Sequence, residues 1–425
     1  MNASIQSRAS SDTHFGALDR MLRARLLQTI GQLRGGSVHV HDPLGHVRLG
    51  DEAGDLNIRI DVLDARFYRA LATNGSVGAG ESYMDGAWRC DDLVALVQLL
   101  VRNRDLLDGM ESGLARLGGM AMRGVHALRA NTRKGARRNI AAHYDLGNDF
   151  FRLFLSDDMM YSSALWSGAD DTLDAASERK LERIAEKLEL SPSDHVVEIG
   201  TGWGGFAVHA AGRYGCRVTT TTISREQFDL AKARVAEAGL QDRVEILLSD
   251  YRDLTGQYDK LVSIEMIEAI GHAQQREYFG QISQLLKPDG RALIQAITIE
   301  DHRYQQAVNS VDFIKRHVFP GCFIPSINSM LDAKTKASDL ALVHLEDFGS
   351  SYAKTLHAWR VRFMGRLDDV RAQGYDERLI RMWEFYLAYC EGGFRERAIG
   401  VAQLLFAKPG CRDADYLPGL RQIEA

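Results

Sequence analysis

The chain has 425 residues, 45% of them hydrophobic and 26% charged, which is enough for two or three globular domains with cores of their own. Its 52 basic and 57 acidic residues leave a net charge of −5, which argues against a dedicated nucleic-acid binder. The longest stretch without Asp, Glu, Lys or Arg, His317–Leu331, is 15 residues long and carries prolines; a membrane-spanning helix needs about 20 apolar residues, so none is expected.

The first 20 residues are polar, lack an apolar signal core, and read as a loose tail. Five scattered cysteines (Cys90, Cys216, Cys322, Cys390, Cys411) form no CxxC and read as free thiols of a reducing compartment, without a zinc site. From Gly36 to about Ile60 the segments SVHVHD, HVRLG and LNIRIDV read as strands, with Pro43, Gly45 and Gly50 turning between them. A helix is predicted over Arg66–Thr73, then a glycine-rich turn over Gly75–Gly80. A second helix over Leu93–Arg104 is apolar at Leu93, Leu96, Val97, Leu100 and Val101, the helical period. Together these make a small α+β domain, residues 1–111.

A connector follows at 112–142. The window 112–144 contains no Asp or Glu and seven basic residues: Arg116, Arg123, Arg129, Arg133, Lys134, Arg137 and Arg138. Leu114, Leu117, Met120, Met122, Val125 and Leu128 interleave with them. Such a segment reads as binding a membrane surface or another anionic partner, or more plainly as a solvated linker helix. Without it the rest of the chain holds 45 basic against 57 acidic residues, a net −12.

Residues 143–425 change rhythm. A helix over Ala176–Leu188 precedes a strand at His195–Ile199. Further strands read at Val218–Ile223, Val244–Leu248, Lys260–Ile264 and Arg291–Ile299, with helices at about 225–238 and 274–286 between them. After residue 300, helices are predicted near 303–317, 353–372 and 376–396. Strands Leu342–Asp347 and Ile399–Ala407 complete a seven-stranded sheet. Alternation of this kind gives an α/β, Rossmann-like fold with a mainly parallel sheet and helices on both faces.

The sequence VVEIGTGWGGF, Val196–Phe206, is a buried strand running into four glycines (200, 202, 204, 205) and a helix start. Glycine permits a tight turn and close ligand approach, and a helix N-terminus offers free N–H groups. Gly200, Gly202 and Gly205 fit GxGxxG, yet the acid that a dinucleotide's ribose needs about 20 residues on is missing: the strand there is Val218-Thr-Thr-Thr-Thr-Ile, and the first acid is Glu226. No GxxxxGK[ST] is present. The remaining strand-turn-helix reading is a class I methyltransferase that binds S-adenosylmethionine. In it Glu198 ends the first strand, the glycines lie under the amino-acid part of the ligand, and Asp250 follows the third strand beside the adenine.

Longer blocks carry a resemblance. HYDLGNDFFRLFLSDDMMYSSALW (His143–Trp166), EIGTGWGGFA (Glu198–Ala207), TTISREQ (Thr221–Gln227), VSIEMIEAIGH (Val262–His272), LIQAIT (Leu293–Thr298), FPGCFIPS (Phe319–Ser326) and YAKTLHAW (Tyr352–Trp359) resemble, in order, the cyclopropane-fatty-acid and mycolic acid cyclopropane synthases. The first 140 residues resemble the extra lipid-handling domain of the phospholipid-acting members. The resemblance implies S-adenosylmethionine as cofactor, with contacts at Tyr161, Ser162, Gly200, Gly202, Gly204, Thr222, Gln227 and Tyr251. It implies an active-site carboxylate at Glu268 and a hydroxyl at Tyr352, which in the family help hold a bicarbonate ion that acts as the base.

Two positions depart from the family: Ser163 stands where it has Cys, and Gln295 where it has His. Both belong to the bicarbonate cradle. Ser and Gln still donate hydrogen bonds, but Gln cannot titrate, so the departures bear on the ring-closing proton transfer more than on methyl transfer. Glu265, three residues before Glu268, competes for the carboxylate role; its plainer reading is a structural hydrogen bond. Phe150, Phe151 and Trp166 are candidate pocket walls, although the run Phe150, Phe151, Phe154 reads more readily as core. His143, His272 and His302 have no ligand spacing, so no metal is expected.

The implied reaction adds a carbon from S-adenosylmethionine to a cis double bond of an unsaturated phospholipid acyl chain, closing a cyclopropane. A methyl-branched olefin is the alternative product, and an inactive lipid-binding scaffold the remaining one. The expected partners are unsaturated phospholipids at an anionic membrane surface, with a homodimer left open and no nucleic acid. The expected location is cytoplasmic, peripheral on the inner face of the membrane.

Overall fold

The computed structural model describes residues 15–108, 146–168 and 171–412; the basic connector, with the surface role read for it, lies outside these residues. The chain divides into two compact units, Met1–Gly119 with Glu377–Phe385, and Met120–Asp376 with Tyr386–Ala425. The helix Glu377–Arg395 thus contributes its first part to the first unit, which a single cut near residue 111 does not capture.

In the first unit, strands β1 (Gly36–Asp42), β2 (Gly45–Gly50), β3 (Leu56–Val62) and β4 (Trp88–Cys90) pair in the order β2-β1-β3-β4. β1 and β3 run parallel, and the other pairs are antiparallel. Val38, Val40, Ile58, Ile60 and Val62 alternate inward, as a sheet with one covered face requires, and α3 (Leu93–Arg102) packs on β3. The expected tail ends sooner than residue 20, because α1 spans Ala17–Ile30. Its Asp19 is fully buried and takes both Nε and Nη2 of Arg69, at 2.5 and 2.7 Å. The expected glycine turn at 75–80 is a kink within α2 (Arg66–Met84): Gly75 sits at φ +54°, and the helix resumes beyond it. Gly78 has to be glycine, since a Cβ there would lie 2.0 Å from the Ala70 carbonyl oxygen.

The second unit holds all seven expected strands: β5 (His195–Ile199), β6 (Arg217–Thr222), β7 (Val244–Leu248), β8 (Tyr258–Ile264), β9 (Leu286–Ile299), β10 (Ala341–Asp347) and β11 (Ile399–Ala407). Their order is β10-β11-β9-β8-β5-β6-β7. β5 to β9 are parallel, and β11 runs antiparallel to both its neighbours. Successive strand residues feed opposite faces. Ile199, Ile294 and Leu404 join one core, while Val196, Leu293 and Leu405 join the other.

The chain steps from β5 outward through β6 to β7, then returns to place β8 on the other side of β5. The order reverses between β5 and β8, and in open α/β sheets ligands bind at the carboxyl ends of strands at such a reversal. Helices α4 (Leu173–Leu188), α5 (Gly205–Tyr214), α6 (Arg225–Glu237), α7 (Gln275–Leu285), α8 (Ile327–Ala337), α9 (Gly349–Met364) and α10 (Glu377–Arg395) surround the sheet strands in sequence. The helix expected over 303–317 is broken into Tyr304–Val308 and a wide turn Ile314–Val318, and the one expected over 353–372 divides into α9 and Leu367–Ala372. No helix among the described residues is long and apolar enough to cross a membrane. The five cysteines are free thiols.

Candidate functional site

The end of β5 makes the first half of the site. Gly200, Gly202 and Gly204 have φ of +100°, +52° and +87°, backbone that side chains rarely adopt. At Gly200 a Cβ would also meet Met266 Cγ at 2.8 Å, whereas at Gly202 nothing lies within 4 Å and the conformation alone requires glycine. The turn delivers the chain into the N-terminus of α5, whose N–H groups suit an anionic group.

Glu198 is buried and turned inward: Oε2 accepts from Thr220 Oγ1 at 2.6 Å, and Thr220 also meets Thr201 Oγ1 at 2.8 Å. Burial pushes its pKa up to about 8, against the pull of Thr220 and Lys180. On the neighbouring strand, Thr222 Oγ1 donates to Gln227 Oε1 at 2.8 Å, joining the end of β6 to α6. Asp250, after β7, receives Arg252 through Nε and Nη2 at 2.8 and 2.7 Å. Tyr251 is buried, and its hydroxyl has no protein partner. A glycine cradle, a helix N-terminus, ribose-level hydroxyl and amide groups, and an orphaned phenol fit a nucleoside carrying an amino-acid tail.

The loop of residues 161–166 forms the roof. Ala164 N–H and Trp166 Nε1 both donate to Thr355 Oγ1, at 3.1 and 3.0 Å, and Trp166 N–H donates to Ser351 Oγ at 3.1 Å. These bonds fasten the loop to α9. Ser162 Oγ accepts from Lys180 Nζ at 3.0 Å. Lys180 is fully buried; burial lowers its pKa to about 8, opposed by Asp158, Glu265 and Glu198. Sequence reading missed this lysine, because one Lys in an amphipathic helix carries no signal of its burial.

The Tyr161 ring lies 5.3 Å from Trp359, 5.4 Å from Phe151 and 6.2 Å from Phe319, and its hydroxyl meets Tyr386 OH at 2.9 Å. Phe150, Phe151 and Phe154 are fully buried and stack on one another, which is the core reading.

The second half lies at the end of β8. The sequence reading set Tyr352, Ser163 and Gln295 around an anion beside Glu268. In the structure they converge instead on Glu265. Oε1 accepts from Ser163 N–H and from Gln295 Nε2, both at 2.8 Å, and Oε2 accepts from Tyr352 OH at 2.7 Å. Ser163 Oγ turns away to the Ala164 carbonyl at 3.0 Å. These donors therefore do not fit a bicarbonate ion, since a carboxylate of the chain already takes them. Burial raises the Glu265 pKa, held back by the Gln295, Ser163 and Tyr352 bonds and by Lys180. Burial and then the Glu265 carboxylate push the Tyr352 phenol well above its ordinary value.

The orientation of Gln295 is set from behind. Lys187 is fully buried and can only donate; its Nζ reaches Gln403 Oε1 at 2.8 Å. Gln403 must then turn its amide nitrogen to Gln295 Oε1, at 3.0 Å, which leaves the Gln295 nitrogen for Glu265. Lys187 itself is anchored by Glu346 at 2.6 Å. Lys187 and Gln403 lie far apart in sequence and in no motif, so sequence reading had no signal for them.

Glu268 sits on the short turn Ile267–Ala269. Its Oε1 accepts from Ile297 N–H at 2.5 Å, and its buried Oε2 has no partner. Burial, then repulsion from Glu265, pushes its pKa up to about 8. The arrangement pairs a donor-held carboxylate with a buried one free to exchange a proton, beside aromatic faces. Among the described residues no cluster of His, Cys, Asp and Glu could hold a metal ion.

The chain is similar to known proteins over most of its length. The family model for mycolic acid cyclopropane synthetase matches residues 131–404. The tuberculostearic acid methyltransferase UfaA1 of Mycobacterium tuberculosis is 39% identical over 360 residues, 80% of this chain and 81% of that protein. The cyclopropane-fatty-acyl-phospholipid synthase of Escherichia coli is 36% identical over 351 residues, 82% of this chain and 87% of that protein. Among solved structures, the mycolic acid cyclopropane synthase CmaA1 complexed with SAH and CTAB superposes with a TM-score of 0.59 at 28% identity, covering 64% of this chain and 98% of that one.

Proposed function

This chain belongs to the mycolic acid cyclopropane synthetase family and is an S-adenosylmethionine-dependent C1 transferase, and from that premise we propose that it methylates a cis double bond in an unsaturated phospholipid acyl chain, closing a cyclopropane. The observation that carries the reading is the pairing of a glycine-lined nucleoside cradle with a buried carboxylate pair among aromatic rings. Its relatives named for fatty-acid, phospholipid and sphingolipid substrates support a lipid acyl chain as the acceptor.

When bound, S-adenosylmethionine supplies an electrophilic methyl group. The chain's residues do the rest. Gly200, Gly202 and Gly204, with Thr222, Gln227, Asp250 and Tyr251, hold and orient the donor, and Glu198 braces the turn from behind. The aromatic wall around Tyr161 excludes water and holds the double bond in line, at the ~3–3.5 Å that near-attack geometry requires. With the donor held there, attack of the double bond's π pair on that methyl carbon would release the C–S pair to sulfur and leave a carbocation on the acyl chain for these residues to stabilise. The faces of Tyr161 and Trp359 and the negative charge of Glu265 stabilise that cation. Glu268 Oε2 takes a proton from the added methyl group, and the freed C–H pair closes the ring.

A second product has specific support. Gln295, whose amide donates to Glu265, stands where the resembling family has a titratable His, and one relative is named as a tuberculostearic acid methyltransferase. Loss of a proton from the neighbouring chain carbon would give a methyl-branched olefin from the same cation.

The basic segment 112–144 supports a peripheral position on an anionic membrane face from the cytoplasmic side. Incubation with S-adenosylmethionine and unsaturated phospholipid vesicles, followed by NMR of the released fatty acids, tests the reading. Cyclopropane proton signals are expected, olefinic methyl-branched signals favour the second product, and an unmethylated lipid rejects both.

A further inference from the structure

The carboxylate of Glu265 takes the three donors at Ser163, Gln295 and Tyr352, the positions that the sequence reading set around a small anion. Its backbone has φ +51°, a left-handed conformation that non-glycine residues rarely adopt. A glycine would relax the turn, so a glutamate here is retained against local strain, and such outliers point to function. Its side chain is fastened by three donors from three separate segments: the Ser163 N–H of the roof loop, the Gln295 amide of β9 and the Tyr352 hydroxyl of α9. Lys187 and Gln403 hold the Gln295 nitrogen toward it. The buried Lys180 ammonium, held on Ser162 Oγ, adds a smaller electrostatic pull toward the ionised form of Glu265. All three donors point at one carboxylate, the pattern of an acceptor-only group.

We propose that Glu265 is a built-in anion: its carboxylate fills the seat formed by Ser163, Gln295 and Tyr352, so that this enzyme needs no bicarbonate. The inference rests on the functional reading above for its catalytic consequence, but not for the seat itself. Glu265 acts as a fixed negative charge beside the cation, and Glu268 Oε2 remains the proton acceptor.

The test has a binding arm and a turnover arm. In the binding arm, carbon-13-labelled bicarbonate is titrated into the full-length protein and followed by NMR. Wild type is expected to show no saturable binding. Glu265→Gly, which also relieves the positive φ, opens a carboxylate-sized space facing three donors and is expected to bind; adding Tyr352→Phe should weaken that binding about tenfold, the loss of one hydrogen bond to a charged group. Glu265→Gln keeps the space filled and should bind none. Saturable binding to wild type, or equal binding to the Gln and Gly variants, overturns the proposal.

In the turnover arm, carbon-dioxide-free buffer should leave wild type within about twofold of its rate in bicarbonate, while Glu265→Gly should fall by about a hundredfold or more, as when a preorganised electrostatic group is removed, and partly recover with bicarbonate or formate. Wild-type stimulation by bicarbonate, or a full rate for Glu265→Gly without any anion, overturns it. The binding arm needs no lipid substrate, so it decides the seat even where the lipid reading fails.

Discussion

Replacing Glu268 by glutamine separates the chemistry of the site from its stability. Burial raises this carboxyl from an ordinary 4.5 to about 8, and Oε2 has no partner to offset the cost of ionising. A group whose folded pKa is raised contributes stability that is fully present below its unfolded value and is lost as pH climbs to the folded one. For Glu268 that window is pH 4.5 to about 8. Each pH unit inside it removes about 1.4 kcal/mol, so about 4–5 kcal/mol is lost across it.

The amide introduced by Glu268→Gln does not titrate. The stability difference, variant minus wild type, should therefore grow by about 1.4 kcal/mol per pH unit between pH 5 and 8 and level off above. Glu198, also raised to about 8, slopes the same way in both proteins and cancels in the difference. Urea unfolding at pH 5, 6, 7, 8 and 9 measures this. The same variant should lose roughly 10²–10⁴ in turnover, the usual contribution of a general base, with S-adenosylmethionine affinity near wild type. Parallel stability curves would refute the buried proton, and surviving turnover would refute the assignment of the base.

Gly200→Ala forces a Cβ to 2.8 Å from Met266 Cγ at φ +100°, so calorimetry should show at least about tenfold weaker S-adenosylmethionine binding, equivalent to the ~1–2 kcal/mol backbone cost alone; unchanged affinity would count against the cradle. Tyr161→Phe should keep most of the turnover because the ring face remains, whereas Tyr161→Leu should lose about 0.5–2 kcal/mol of cation stabilisation, read as a lower kcat at unchanged donor affinity. Lys187→Met frees Gln403 and Gln295 to reorient, so kcat should fall and its pH profile shift, with a stability loss of about 1–3 kcal/mol by thermal unfolding. Binding to anionic vesicles should exceed binding to neutral ones and fall with salt, and co-sedimentation indifferent to both would remove the role given to segment 112–144.

The strands and the glycine turn were legible because their signals are local. Residues 196–199 and 292–296 read as mostly apolar strands buried on both faces, each interrupted by one polar residue, Glu198 and Gln295, and φ above zero at Gly200 and Gly204 leaves a direct mark on the sequence. Helix α8 was missed because its Ser326 cap follows a proline-rich run that reads as loop, and α1 because its buried face depends on a distant partner, Arg69. Motif reading set Ser163, Gln295 and Tyr352 together, as the structure does, but around an anion beside Glu268, whereas the carboxylate they meet is Glu265. Tyr352 lies 84 residues from Glu268 and 87 from Glu265, and no periodicity distinguishes which carboxylate it meets. That choice is made by the reversed strand β11 and helix α9, which bring Gln403 and Tyr352 to the end of β8.

Two carboxylates three positions apart would repel if both ionised in a buried site, unless their surroundings divide the work. Here they do. Glu265 has three donors and a nearby lysine, so its negative charge is the better supported, while Glu268 has one backbone donor and an empty oxygen. Ionising Glu265 first raises Glu268 further, which keeps a proton on Glu268 until a cation arrives nearby. The cationic donor should thus favour the ionised form of Glu268, whereas the neutral thioether product should not. The pH at which Glu268 titrates should accordingly fall on binding S-adenosylmethionine and stay near its free value with S-adenosylhomocysteine. Proton uptake and release on ligand binding, measured by calorimetry in buffers of different ionisation enthalpy, reads this directly: proton release near pH 7.5 is expected with the sulfonium and little with the thioether. Equal proton release with both, or release that persists in Glu268→Gln, would show that the charge division between the two carboxylates is wrong.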